Sequence, residues 1–257
     1  MNPSVSIILT TYNRPELLKE SITSLLSQSY IDFELLVIDN FSDFDFFELI
    51  SGFNDARIKP FQKANNGIIA ISRNYGIQLA AGEFIAFCDD DDLWETTMLA
   101  EQVNVMKKHH NVALSCTGSS FINNPVRKSL LGEFLSSANR FFLSLNIIPA
   151  KYTLLAITFI TNSSVVFRKK IVADIGLISE DPTINTILDY DYYLRISLKY
   201  DIFFLNKKLV RYRFHSQQVS DVDVNKTHQK TNKVVLSHWD KLNFIQKIIF
   251  KIIRNLK

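Results

Sequence analysis

A chain of 257 residues that is 47% apolar and 21% charged has the balance of a globular protein with a substantial core, which excludes disordered and fibrous classes. Two cysteines, Cys88 and Cys116, exclude a disulfide framework and a cysteine metal site, and fit a reducing compartment. The net charge of +3 conceals an asymmetry: from Asn225 onward there are eight Lys or Arg and one acid, Asp240, so a mildly acidic body carries a strongly basic tail.

Residues 1–11 lack the basic start and long apolar core of a signal peptide. Residues 152–167 form a long interior stretch without charge. They are interrupted by Thr, Asn and Ser, and are shorter than the ~20 residues a spanning helix needs. The expectation is a cytoplasmic protein.

In chain order, residues 5–10 (VSIILT) read as a buried strand, and Pro15 opens a helix with its stripe at Leu17, Leu18, Ile22, Leu25 and Leu26. Residues 33–38 (FELLVI) form a second strand ending at Asp39-Asn40, residues 43–51 a helix, and residues 57–61 a third strand. Asn65-Asn66-Gly67 is a turn before a helix over 68–81. Residues 84–88 (FIAFC) are a buried strand, followed by a helix over 95–109 and a strand over 112–116. Residues 117–150 read as a Phe-rich loop with some helix, placed over an acceptor site. Beyond them, 163–167 predicts a strand, Arg168-Lys169-Lys170 precede a short helix ending at Ile175, 189–200 is a helix, and 202–205 and 209–214 are two strands. Strand and helix alternating at this spacing imply an α/β fold, a mostly parallel sheet flanked by helices.

The chemistry centres on residues 83–94, EFIAFCDDDDLW. Four consecutive carboxylates, Asp89 to Asp92, fall at the C-terminal end of an apolar strand, the edge where open α/β sheets bind ligands. Adjacent carboxylates raise each other's pKa, and a divalent cation suited to hard oxygen ligands, Mg²⁺ or Mn²⁺, removes the repulsion. The plain alternative is a solvated acidic turn. Thr11, Tyr12 and Asp39 end strands on the same edge and suit a flat base, although Asp39 also fits a turn or cap. Arg73, near a helix start, suits a diphosphate or a solvated surface. Asp189 suits an N-cap or a general base beside a pocket, and His215 suits a metal ligand or a polar strand end.

These segments, in this order, resemble family 2 of the inverting glycosyltransferases, which have the GT-A fold, a Rossmann-like sheet. The matching pieces are VSIILTTYNRPELLKESITSLLSQ, FELLVIDNFSD, NNGIIAISRNYGI, AAGEFIAFCDDDDLW, SSVVFRKKIVADIGLI, LDYDYYLRISLKYDI and YRFHSQQVS, over roughly residues 3–220. The resemblance implies a metal-dependent enzyme that moves a sugar from a nucleotide diphosphate sugar to a hydroxyl with inversion. UDP-sugar is the default donor, and a glycan or lipid-linked oligosaccharide in bacterial surface polysaccharide (lipopolysaccharide or capsule) is the acceptor. It implies Asp91 and His215 as metal ligands, Asp89 or Asp90 on the ribose, and Thr11, Tyr12 and Asp39 on the nucleoside. It places Arg73 near the diphosphate and makes Asp189 the general base, with Asp191 as the alternative. The family's Asp-Asp-Gly-Ser turn reads Asp39-Asn40-Phe41-Ser42 here, its Ala-Arg-Asn reads Ser72-Arg73-Asn74, and its Glu-Asp pair reads Leu188-Asp189. The rival readings are a non-catalytic nucleotide-sugar-binding module and a sugar nucleotidyltransferase. The latter lacks support from a Gly-rich loop after the first strand.

The chain divides into a body over 1–224, with a nucleotide-sugar half (1–116) and an acceptor half (117–224), and a basic tail over 225–257. In residues 242–257, Ile245, Ile248, Ile249, Ile252, Ile253 and Leu256 share one helical face, with Lys247, Lys251 and Arg254 opposite and Phe250 off the stripe. A basic amphipathic helix of this kind suits an anionic membrane surface, at the inner face of the cell membrane. Docking of the Ile face on the body or on a second copy is the alternative. Nucleic acid is not expected, because the acidic body repels phosphates.

Overall fold

The computed structural model describes residues 2–122, 152, 154, 155, 160–214 and 224–255. Its centre is β1 (Val5–Thr11), buried along its whole length. β1 pairs in parallel with β2 (Phe33–Asp39) on one side and β4 (Phe84–Asp89) on the other, and β2 pairs in parallel with β3 (Ile58–Gln62). Strands covered on both faces read as continuous apolar runs, which is why VSIILT, FELLVI and FIAFC were legible.

Alternation along β1 divides the core. Val5, Ile7 and Leu9 pack with Leu18, Ile22 and Leu25 of α1 (Pro15–Leu26) and Leu99 and Val103 of α4 (Met98–Lys108). Ile8 faces the other way, toward Ala70 and Ile77 of α3 (Ile69–Leu79). Between β2 and β3, α2 (Phe46–Ser51) is shorter than its predicted span, because the Asp45 side chain caps it by accepting from the Glu48 amide at 2.9 Å.

The second half departs from a parallel sheet. β7 (Val165–Arg168) runs antiparallel to both β4 and β6 (Val112–Ile122), β6 pairs in parallel with β8 (Asp201–Arg213), and β5 (Leu93–Trp94) runs antiparallel to β8. The order is β3-β2-β1-β4-β7-β6-β8-β5, a mixed sheet whose first four strands are parallel. The two strands predicted over 202–214 are one. The polar run Asn206-Lys207-Lys208 reads as a break, yet it stays exposed within β8 while register shifts at Gly118 absorb the irregularity. Leu93-Trp94, between the acidic run and the helix predicted over 95–109, form a short strand, anchored by the Trp94 indole N–H donating to the Ser163 carbonyl at 2.8 Å.

A short α5 (Val172–Ile175) and α6 (Leu188–Lys199) follow β7, and α7 (Val224–Ser237) and α8 (Phe244–Asn255) close the described chain. Among the described residues no helix is long and apolar enough to cross a membrane. His215 and residues 123–150 lie outside the described residues, and residues 117–122, expected in the Phe-rich loop, are instead strand, the continuation of β6.

The turn after β2 keeps its form without glycine. Phe41 takes φ of 57°, and the Ser42 amide still reaches the Asp39 carboxylate at 3.0 Å. A left-handed conformation costs a residue with a Cβ about 1–2 kcal/mol, and the ring, 56% exposed, recovers little of that by burial. Phe41→Gly is therefore expected to stabilise the chain by about 0.5–1 kcal/mol, the relief being reduced by glycine's greater freedom when unfolded. Urea unfolding measures this, and a lower midpoint would mean that the ring packs more than its exposure indicates.

Candidate active site

Strand pairing brings the predicted residues to one edge. Thr11 is opposite Asp39, and Thr10 is opposite Asp89. Between these ends and α6 runs a cleft in two connected compartments that share Thr10, Arg14, Ile69 and Asp90. The wider, about 400 Å³, is bordered by Thr11, Tyr12, Asn13, Asn40, Asn65 and Gly67. The narrower, about 100 Å³, is bordered by Arg73, Asp89, Asp91, Leu188, Asp189 and Tyr212.

The four carboxylates, equivalent in sequence, differ in surroundings. Asp89 accepts from the Arg73 guanidinium at 2.7 Å and from the Asn162 amide at 3.1 Å. Asp90 is buried and accepts from Thr11 Oγ1 at 2.8 Å and Arg14 Nη1 at 3.0 Å. Burial pushes its carboxyl up to about 7, against the pull of Arg14. Asp91 pairs with the same Arg14 nitrogen at 3.1 Å. Asp92 points away from the cleft, fully buried, where it accepts the Arg213 backbone N–H at 3.1 Å. Burial, with Asp91 and Asp89 nearby, raises it well above the carboxylate range. The strap is held by Ser21 Oγ, which donates to the carbonyls of Asp90 and Asp92.

The carboxylates open to a cation at the cleft, Asp89 and Asp91, are ion-paired with Arg73 and Arg14. Among the described residues no group of three or more His, Cys, Asp or Glu is placed to hold an ion unaided. Mg²⁺-type sites ordinarily need only one or two carboxylates plus substrate phosphates, and Asp89 and Asp91 both border the cleft.

Asp189 lies in the first turn of α6, where Ile187 is the N-cap and makes no side-chain cap, so Asp189 does not serve as one. It accepts instead from Arg73 Nη1 at 2.5 Å. Arg73, almost wholly buried, thus spans two carboxylates, Asp89 and Asp189, that are far apart in sequence. Burial raises the Asp189 carboxyl above its usual range, with Arg73 opposing. Asp191 has a different fate. It is buried on α6, accepts from Arg195 Nε at 2.9 Å and contacts His238 Nε2 at 2.7 Å, and does not border the cleft. Burial disfavours its ionised form, but His238 and Arg195 outweigh that and hold its carboxyl below the usual range.

Asp39 is also turned inward. Its carboxylate accepts from Ser42 and from Gln62 Nε2 at 3.1 Å, and its neighbour Asn40 borders the cleft instead, with Oδ1 accepting the Asn65 amide at 2.9 Å. Sequence reasoning missed Arg14 and Asn162, and placed Asn40 and Tyr212 in candidate segments without giving either a role of its own. Arg14 and Asn40 had a signal, since each follows a strand end on the binding edge. Asn162, placed by a short 3-10 turn (Asn162–Ser164), had none.

The profile of Glycosyl transferase family 2 matches residues 6–176, and the chain belongs to that family. A relative in Escherichia coli, the UDP-Glc:alpha-D-GlcNAc-diphosphoundecaprenol beta-1,3-glucosyltransferase WfgD, is 36% identical over 132 residues, 51% of this chain and about half (51%) of WfgD. The uncharacterized glycosyltransferase RT0329 of Rickettsia typhi is 28% identical over 233 residues, 89% of this chain and 69% of that one. The fold matches Staphylococcus aureus TarS 1-349 in complex with UDP-GlcNAc at a TM-score of 0.72, with 18% identity and coverage of 99% and 72% of the two chains. It also matches the mannosyltransferase PcManGT of Pyrobaculum calidifontis, in complex with GDP-Man and Mn²⁺, at 0.65, with 13% identity and coverage of 100% and 81%. The GT-A fold expected from the sequence is therefore the fold observed.

Proposed function

We propose that the chain binds a UDP-sugar in this cleft and transfers the sugar, with inversion, to a hydroxyl of a lipid-linked glycan in surface polysaccharide synthesis. The observation that carries the reading is the continuity of the cleft, from a base-sized compartment at Tyr12 and Asn40 to the carboxylates Asp89, Asp91 and Asp189. The UDP-GlcNAc named for TarS and the lipid diphosphate acceptor named for WfgD support the donor and acceptor classes.

On this reading Thr11 and Asp90 orient the ribose, and Tyr12 lies against the base. Asp39 braces the turn that presents Asn40, and acts on the base through it. Asp189 takes the proton of the attacking hydroxyl. Arg73 fixes the direction of that carboxylate and, bordering the narrow compartment, adds positive charge near the diphosphate. Asp91, with His215 as the resemblance implies, would hold Mg²⁺ or Mn²⁺. The cation, when bound, offsets the charge on the departing diphosphate, a role supported by the Mn²⁺ named for PcManGT. Inversion follows from a single in-line displacement, and the reaction takes place at the cytoplasmic face of the membrane.

Calorimetric titration of UDP, GDP and dTDP with and without Mn²⁺ tests the donor site. UDP is expected to bind most tightly and to gain about tenfold or more from Mn²⁺, and Asp91→Asn is expected to lose that gain. If none of the three nucleotides binds, the donor assignment fails.

A further inference from the structure

The sequence places the isoleucines of α8 on one face, and the structure shows which face meets the body. The body is met by Gln246 and Phe250, with Ile249 at the edge of the stripe half-buried beside them. Leu242 and Phe250 are buried at 4% and 3% exposure, and Phe250 meets the Trp239 ring with centroids 6.1 Å apart. Lys247 and Lys251 place their ammonium groups 5.5 and 5.9 Å from the centre of the same ring. Asn243 and Gln246 cap the helix reciprocally, each side chain accepting the other's backbone N–H at 2.8 and 2.9 Å. Phe250, the residue off the stripe, is therefore the anchor.

The orientation is also fixed from below. His238, between α7 and the 3-10 turn Trp239–Lys241, holds Asp191 of α6, which Arg195 grips in turn. The outward face consists of Phe244 (77% exposed), Ile245 (55%), Ile248 (40%) and Ile252 (53%), and no described residue covers it. Four large apolar side chains on adjoining turns are more than the scattered exposure that a soluble surface ordinarily carries.

Charge selects the occupant. Residues 241–257 contain Lys241, Lys247, Lys251, Arg254 and Lys257 and no acid. A second copy meeting this face about a two-fold axis would set these cations against themselves. Anionic headgroups complement them, and an apolar face flanked by lysines suits the boundary between headgroups and acyl chains. We infer that the Phe244, Ile245, Ile248 and Ile252 face of α8 docks on the surface of an anionic phospholipid bilayer, without spanning it. On the function proposed above, the clamp at Asp191 then holds Asp189, earlier on the same helix, at a fixed attitude to the bilayer that carries a lipid-linked acceptor. The docking itself does not depend on that function.

The test is co-sedimentation of the full chain, without nucleotide, with vesicles of phosphatidylcholine plus phosphatidylglycerol and with phosphatidylcholine alone. Binding is expected to the anionic vesicles, to weaken at high salt, and to fall about tenfold or more in the combined variant Ile245→Glu, Ile248→Glu, Ile252→Glu. The single variant Ile248→Asp, with unchanged circular dichroism, is expected to weaken binding in the same direction. UDP titration of both variants is expected to match the parent, which separates loss of docking from loss of the donor site. Absence of binding to anionic vesicles, or equal binding by parent and variants, overturns the inference. So does a dimer that the triple variant dissolves while the parent ignores vesicles.

Discussion

Asp189→Asn is expected to lower turnover by about 10²-fold or more while UDP affinity stays nearly unchanged, because a positioned base contributes about 10²–10⁴ to a proton transfer. The amide keeps the size of the side chain and can still accept from Arg73, so the cleft survives and the proton acceptor is lost. Burial raises the Asp189 carboxyl, and a base must be ionised to act. The rate of the parent protein therefore falls as pH drops through a value above the ordinary carboxylate range, and the variant loses that limb. Asp191→Asn separates the two candidates. That carboxylate is committed to Arg195 and His238, so its loss is expected to lower stability and leave the pH limb in place. Turnover measured at saturating UDP-sugar across pH decides, and an intact acid limb in Asp189→Asn would transfer the base role elsewhere.

Arg73→Met is expected to produce the largest loss of stability, about 3 kcal/mol, because removing one partner of a buried ionic network strands the others. Asp89 and Asp189 each keep some contact with water, which places the figure at the lower end of the range for buried pairs. The sign with pH is fixed. Without the guanidinium, the Asp189 carboxyl rises further above its unfolded value. The variant's deficit is then greatest at high pH and shrinks as pH falls and Asp189 protonates. Urea unfolding at pH 8 and pH 5 measures it, and a deficit that is equal at both would exclude the carboxylates as its source. Arg73→Lys keeps the charge but cannot span both partners, and is expected to recover only part of the loss.

The sequence by itself determined the strands of the binding edge and the residues at their ends. β1, β2 and β4 are buried on both faces, so their composition carries the signal without help from neighbours. It also determined that the isoleucines of the tail share a face, since helical periodicity is local. Tertiary structure alone decided the rest, because each remaining question turned on partners distant in the chain. Asp89 to Asp92 look alike until Arg14, Arg73, Asn162 and the Arg213 backbone give each a separate environment. Asp189 and Asp191 are two residues apart, but about 200° apart around a helix, so one reaches the cleft and the other the clamp with His238. The turn at Phe41 survives the loss of glycine because the strand ends on either side of it hold it in place. Which face of α8 points outward depended on Trp239 and Phe250, a contact that periodicity cannot supply.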